Sequence, residues 1–225
     1  MEVFDATVKA LVNAGVMVIL NNHISDAGWC CSITDMNGLW HNYDYTADQW
    51  ERVLMSLAKQ YKDEPMVIGN DLRNEIRNDI LELLDANWGS GNVERDWKMA
   101  ATKAGNLILQ EDPTQLIIVE GLNFANNMKP IKTDPIKLNI SNRLVYSVHY
   151  YSWQPNVAKM DSYEEMRDDL DKNVAFMLEE GQDYTAPLWL GEFGEAKQSN
   201  YWNNLIKYLS ERTNIGWAYW AYNGY

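Results

Sequence analysis

The chain has 225 residues, 46% of them hydrophobic, and a formal net charge of −13. That length and apolar content suffice for one domain with a sizeable core. An excess of 32 acidic over 19 basic side chains argues against nucleic acid as a partner, because phosphate binding needs clustered Lys and Arg.

Taken in order, a helix-patterned opening (residues 1–12) leads into an apolar run (16–20) that reads as the first strand. Helix is expected over 46–61, strand over 66–68, helix over 93–109, and strands over 116–119 and 144–148. A helix over 162–179, a strand over 188–190, a helix over 201–212 and a last strand over 215–220 complete the pattern. Short apolar runs alternating with helices imply a parallel sheet covered by helices, either doubly wound or closed as a barrel. Polar groups follow almost every strand: Asn21, Asn22 and His23; Asn74 and Glu75; Glu120 and Asn123; His149 and Tyr151; Glu192; Tyr222 and Asn223. A barrel gathers all strand ends on one face, whereas an open sheet concentrates function at a switch point. The expected fold is therefore α/β, of the (β/α)8 TIM-barrel type. Only six strands can be counted, so the expectation is a barrel truncated to about six βα units, forming a single catalytic domain over residues 1–225.

No run of about 18 apolar residues occurs, so no membrane span is expected. The acidic start lacks the basic n-region of a signal peptide. The only cysteines, Cys30 and Cys31, are adjacent, and a disulfide is hard to close across one peptide bond. They read as half-buried thiols, or as one thiol whose partner is missing. Asn139-Ile140-Ser141 is a glycosylation sequon, a triplet that also arises by chance. There is no Gly-x-Ser-x-Gly elbow, His-Glu-x-x-His helix or Gly-x-Gly-x-x-Gly loop. No two of His23, His41 and His149 sit at ligand spacing, so neither a metal nor another cofactor is expected.

Two carboxylates stand out. Glu75 closes Ile68-Gly69-Asn70-Asp71-Leu72-Arg73-Asn74-Glu75, and Glu192 lies within Leu188-Trp189-Leu190-Gly191-Glu192-Phe193-Gly194. A carboxylate after a short apolar stretch is the mark of a side chain presented at a strand's C-terminal end. Two of them suggest acid/base and nucleophile chemistry on a sugar. Together with His23, His149-Tyr150-Tyr151 and Trp220, their order and spacing resemble strands three to eight of glycoside hydrolase family 5, the cellulase-type retaining glycosidases. The resemblance covers nearly the whole chain. It implies that Glu75 is the acid/base, Glu192 the nucleophile and Asn74 the ligand of the sugar 2-hydroxyl. Tyr151 would donate to Glu192, His23 and His149 would orient the sugar or the carboxylates, and Trp220 would be a stacking platform. The implied substrate is a β-linked polysaccharide, with β-1,4-glucan ahead of mannan, mixed-linkage glucan or a glycoconjugate, cleaved by endo action outside the cell. Trp29-Cys30-Cys31 and the stretch from Asp71 to Glu75 resemble a branch found in fungi and plants.

Two departures from the pattern stand beside the matches. Ile76 occupies the place where many relatives have Pro, and the family's supporting strand-two Arg has no counterpart. The competing expectation is an inactive barrel remnant that at most binds glycan, with unpaired sheet edges open to association. Of the ten tryptophans, Trp50, Trp97, Trp189, Trp202 and Trp217 fall within helical or strand patterns and are expected in the core. Trp29, Trp40, Trp88 and Trp153 follow strands, where indole faces could pack against pyranose rings.

Overall fold

In the computed structural model, which describes residues 2–28, 30–81 and 85–222, the local signals that start the helices are explicit. Before α2 (Ala47–Tyr61), Thr46 Oγ1 accepts from Gln49 N at 3.2 Å while Gln49 Oε1 accepts from Thr46 N at 2.7 Å. This capping box satisfies two otherwise orphaned donors. Trp50, Leu54, Ala58 and Tyr61 then form the buried face. Asp96 caps α3 (Trp97–Glu111) and also accepts from Gly89 N and Gly91 N at 2.9 and 2.7 Å. The helix expected from residue 93 therefore starts at Trp97, with the preceding residues committed to a loop around that carboxylate.

The chain divides into two units, Met1–Glu120 with Ile136–Leu144, and Gly121–Pro135 with Val145–Tyr225. In the first, α1 (Glu2–Asn13), β1 (Val18–Asn21), α2, β2 (Val67–Asp71), α3 and β3 (Leu116–Glu120) follow one another. β1 pairs in parallel with β2, and β2 with β3, Asn70 standing opposite both Leu20 and Ile117. Val8 of α1 and Tyr61 of α2 pack with Val18, Leu20 and Val67. Gly69 is required by close approach: a Cβ there would lie 2.9 Å from both Leu116 O and Ile118 Cδ1.

Three indoles lock the strand ends of this unit to its helices. Trp40, Trp50 and Trp97 have ring centroids 5.5–6.4 Å apart. Trp50 Nε1 donates to Leu72 O at 3.0 Å and Trp97 Nε1 to Glu120 O at 2.9 Å. Buried indoles contribute large apolar surface and use their N–H as an anchor. Trp40 is 2% exposed, so it belongs to the core and cannot serve as a sugar platform.

The second unit holds a short turn α4 (Leu122–Ala125), then β4 (Leu144–His149) from its second residue on, α5 (Tyr163–Asn173), β5 (Leu188–Phe193), α6 (Asn200–Glu211) and β6 (Gly216–Tyr219). β4 pairs in parallel with β5, and β5 with β6. Val148, Leu170, Leu188, Leu190 and Leu205 fill the space between strands and helices. The helix expected over 162–179 ends at Asn173. Val174 leaves the helical region (φ −127°, ψ −60°), and a 3-10 turn, Ala175–Leu178, buries Phe176 and Met177 in succession. A continuing α-helix would turn such neighbours to different faces. Trp217, expected inside, is 54% exposed, because β6 alternates and turns Trp217 and Tyr219 outward. Among the described residues no helix is long and apolar enough to cross a membrane.

Candidate active site

Glu75 sits four residues beyond β2, in a left-handed backbone conformation (φ 50°) that side chains other than glycine adopt reluctantly. Such a residue costs about 1–3 kcal/mol and persists only where its surroundings over-determine it. Here they do. Its N–H donates to Glu120 Oε2 at 2.6 Å, and its carbonyl accepts from Arg77 Nη1 at 2.8 Å. Arg77, 1% exposed, grips both Asp35 oxygens at 2.6 and 2.7 Å and the Ser32 carbonyl at 2.7 Å. Arg73 fastens the opposite side, reaching Asn22 Oδ1 and Ser25 Oγ at 3.1 Å and Asn37 O at 3.2 Å.

Asn74 is held between these two anchors. Its N–H donates to Asn22 O at 2.9 Å, and its Nδ2 faces the sulfur atoms of Cys30 and Cys31 at 3.6 and 3.4 Å. Its Oδ1 is buried with no hydrogen-bond partner among the described residues. An unsatisfied buried acceptor carries a desolvation cost of about 1–3 kcal/mol, which a donor arriving from a ligand would relieve. His23 lies just past β1, its Nδ1 3.1 Å from Asn21 Oδ1. The sulfur atoms of the adjacent Cys30 and Cys31 lie against each other and, with a Glu75 oxygen, within 4.8 Å.

In the second unit β5 carries Glu192 within the strand. Tyr151 donates its hydroxyl proton to Glu192 Oε2 at 2.9 Å, and His149 Nδ1 stands 3.6 Å from the same oxygen. His149 is 1% exposed and the Glu192 side chain 12%, so the carboxylate meets solvent over only a small part of its surface. Gly191 permits this arrangement, since a Cβ there would collide with Ser147 Oγ on β4. Gln154, 3% exposed, ties the segment after β4 together: Nε2 donates to His149 O at 3.1 Å, and Oε1 accepts from Tyr151 N at 3.1 Å and Asn126 Nδ2 at 3.0 Å. The neighbouring Tyr150 points away and donates to Asp169; burial, and then that carboxylate, push its phenol far above the usual range. Trp220 follows β6, its N–H on Phe193 O at 2.9 Å and its side chain half exposed.

The expected groups thus fall into two sets. Asn74 and Glu75 stand together in one unit, with His23 after β1; His149, Tyr151 and Glu192 stand together in the other, with Trp220 after β6. Trp29 and Asn223 lie outside the described residues. Sequence reasoning missed Arg73, Arg77, Asp35 and Gln154. The available signal was two arginines four positions apart around a key glutamate in an otherwise acidic chain.

A family model described as cellulase (glycosyl hydrolase family 5) matches residues 1–225. An endoglucanase of Paenibacillus polymyxa is 28% identical over 99% of this chain and 57% of its own length. A glycosyl hydrolase 5 family protein of Chamaecyparis obtusa is 28% identical over 98% of this chain and 39% of its own. The major extracellular endoglucanase of Xanthomonas campestris is 29% identical over 99% of this chain and 47% of its own. The chain therefore spans 39–57% of the length of these relatives. The solved catalytic domain of the major endoglucanase from Xanthomonas campestris superposes with a TM-score of 0.80 at 28% identity, covering 99% of this chain and 65% of that one. A hyperthermostable endocellulase gives 0.80 at 26%, covering 99% and 66%. The architecture is that of a (β/α)8 barrel represented by six βα units.

Proposed function

Since the chain belongs to glycosyl hydrolase family 5, we propose that it is a retaining endo-β-glycanase acting on β-1,4-glucan, with all 225 residues forming one catalytic domain. Glu192 attacks the anomeric carbon as a carboxylate, while Glu75, carrying a proton, delivers it to the departing glycosidic oxygen. The glycosyl-enzyme then forms, and Glu75, now ionised, takes a proton from water as that water attacks the same carbon and releases Glu192. This double displacement needs the two carboxyl groups about 5–5.5 Å apart. Asn74 Oδ1 accepts from the sugar 2-hydroxyl, an interaction that strengthens as charge develops. Tyr151 holds the Glu192 carboxylate in one orientation, since a preorganised donor need not reorganise during reaction, and His149 packs beside the same oxygen. His23 orients the sugar, and the half-exposed Trp220 indole offers it a stacking face.

The observation that carries the reading is the Tyr151 hydroxyl at 2.9 Å from Glu192 Oε2 with His149 beside it, on the strand whose Gly191-Glu192-Phe193-Gly194 resembles the family's nucleophile strand. Identity of 28–29% to relatives named as endoglucanases supports β-glucan as substrate. The name of the Xanthomonas relative supports action outside the cell.

Release of reducing ends from soluble β-glucans and mannans tests the proposal. Glu192→Gln is expected to abolish turnover with little change in stability. Glu75→Gln is expected to slow mainly substrates with poor leaving groups, which need protonation most. Equal hydrolysis by the parent and the doubly substituted chain would overturn both roles. Silence from the parent, with oligosaccharide binding retained, would favour a barrel remnant that binds glycan without cleaving it.

A further inference from the structure

Within the second unit, the segment that carries Tyr151 is held by one buried side chain that the chemistry above leaves without a role. Gln154, 3% exposed, donates from Nε2 to His149 O at 3.1 Å and accepts at Oε1 from Tyr151 N at 3.1 Å and from Asn126 Nδ2 at 3.0 Å. We propose that Gln154 is a positioning residue for the hydrolysis, fixing the Tyr151 hydroxyl on Glu192, and that Asn126 acts through it from the turn after β3. The inference rests on the reading of the protein as a glycanase.

The backbone decides which way round the carboxamide stands. His149 O can only accept and Tyr151 N–H can only donate, so Nε2 faces the first and Oε1 the second. Asn126 completes the set, because Oε1 has two lone pairs and both are then taken. The main chain of Gln154 is pinned as well: its N–H donates to Tyr151 O at 3.1 Å, and its carbonyl accepts from Ala158 N at 2.8 Å. Between the residues it grips, Tyr150 N donates to Glu192 O at 3.0 Å, and the Tyr201 hydroxyl donates to Tyr150 O. Every polar backbone group from His149 O to Tyr151 O therefore has a partner, and Gln154 holds both ends of the run. Any shift of that run would leave a buried polar group unpaired in a medium of low dielectric, which is costly. The Tyr151 ring departs from this fixed backbone, and its hydroxyl meets Glu192 Oε2 at 2.9 Å.

Asn126 reaches Gln154 from a turn built in a costly conformation. Asn123, Phe124 and Ala125 are three consecutive non-glycine residues with φ of 54°, 58° and 56°. L-residues visit this region singly, not in runs, so the surroundings must enforce it. Leu122 N donates to Asn127 O at 3.2 Å, Asn127 N to Leu122 O at 2.8 Å and Asn126 N to Asn123 O at 3.2 Å, while Ala125 is fully buried. Backbone strain of this kind persists where the fold over-determines it and gathers at functional sites. Here the turn delivers one donor, Asn126 Nδ2, to the second lone pair of the group that supports Tyr151.

The test is a double-mutant cycle read as steady-state hydrolysis of an aryl β-cellobioside. It combines Tyr151→Phe with Gln154→Met, which keeps the side chain's length and removes both polar atoms, and with Asn126→Ala. Gln154→Met is expected to lower kcat by about tenfold with KM little changed, because a remote substitution that misplaces a reacting contact by about 1 Å costs up to about 100-fold. Asn126→Ala should lower kcat less. In the Tyr151→Phe background each should cost less than about twofold, since the contact they position is already gone and residues acting through one contact are not additive. A residue that served the fold alone would cost the same factor in both backgrounds, and that result overturns the proposal, as does a parent-like kcat in Gln154→Met. Asn126 is only partly buried, so its variant carries the cycle if Gln154→Met does not fold. A second measurement needs no turnover: hydrogen exchange at the Tyr151 N–H, which Gln154 Oε1 protects, should quicken in Gln154→Met and stay slow in Tyr151→Phe. Unchanged exchange overturns the positioning whatever the chain hydrolyses. Quickened exchange beside a parent that hydrolyses no β-glycan upholds the hold of Gln154 on Tyr151 and overturns the glycanase reading instead.

Discussion

Tyr151→Phe separates a catalytic role of the Glu192 cluster from a merely structural one. The substitution deletes a single hydroxyl and keeps the ring that stacks on Trp153 at 5.6 Å. The lost contact is a 2.9 Å hydrogen bond to the carboxylate, and hydrogen bonds to charged groups contribute about 1.5–3 kcal/mol. His149 does not replace it, because its Nδ1 at 3.6 Å is beyond good hydrogen-bond distance. With about 1.4 kcal/mol per factor of ten, the expected loss is about 10- to 150-fold. It should fall on kcat rather than KM, because the group acts on the attacking carboxylate and not on ground-state binding. The assay is steady-state hydrolysis of an aryl β-cellobioside by parent and variant, with urea unfolding of both to verify equal folding. An unchanged or raised kcat refutes the reasoning. A hydroxyl that only stabilised the ionised resting carboxylate would restrain attack, and its removal would then accelerate it.

Two further expectations concern stability. Asp112 is held below the ordinary carboxylate range: burial alone would raise it, but hydrogen bonds from the Thr114 side chain, Thr114 N and Gln115 prevail, with Arg143 assisting. Its contribution is therefore fully present above the unfolded value of about 3.9 and is lost as pH falls through the lower folded value. Asp112→Asn should be less stable than the parent at neutral pH, with the gap closing as urea midpoints are followed below about pH 4; a gap independent of pH refutes the linkage. Trp97→Phe removes a fully buried indole N–H from Glu120 O, 2.9 Å away, and thins the trio with Trp40 and Trp50. The lost hydrogen bond and the lost packing together suggest destabilisation of about 2–4 kcal/mol. Because Glu120 also holds the Glu75 N–H, kcat should fall too; a change below about 0.5 kcal/mol, the size of an ordinary surface substitution, would place this trio outside the core.

Strand ends were legible because barrel chemistry sits immediately after short apolar runs: β2 is followed by Asn74-Glu75, and β4 closes on His149, two residues before Tyr151. What escaped was decided by partners distant in sequence. Trp40 follows a strand just as Trp153 does, yet Trp50 and Trp97 close over it. Nothing local announces the left-handed backbone of Glu75, since it is imposed by Glu120, 45 residues on, and by Arg77, itself pinned to Asp35 42 residues earlier. Trp217 was misread for the opposite reason: Gly216-Trp217-Ala218-Tyr219 already alternates small and large, and treating it as one apolar run hid the outward face.

The buried charges explain how one conformation of the Glu75 segment is selected. Arg73 and Arg77 are each 1% exposed, and a guanidinium cannot shed its proton to escape burial. Each must find acceptors or leave an uncompensated charge, at a cost of several kcal/mol. Arg73 finds them in Asn22, Ser25 and Asn37, and Arg77 in Ser32, Asp35 and the Glu75 carbonyl. The segment after β1 is thereby wrapped onto Asn74-Glu75 from both sides. These pairs need not contribute net stability to serve that purpose. Alternative loop paths would strand an arginine, so the position of the proposed acid is set by what the competing conformations would cost.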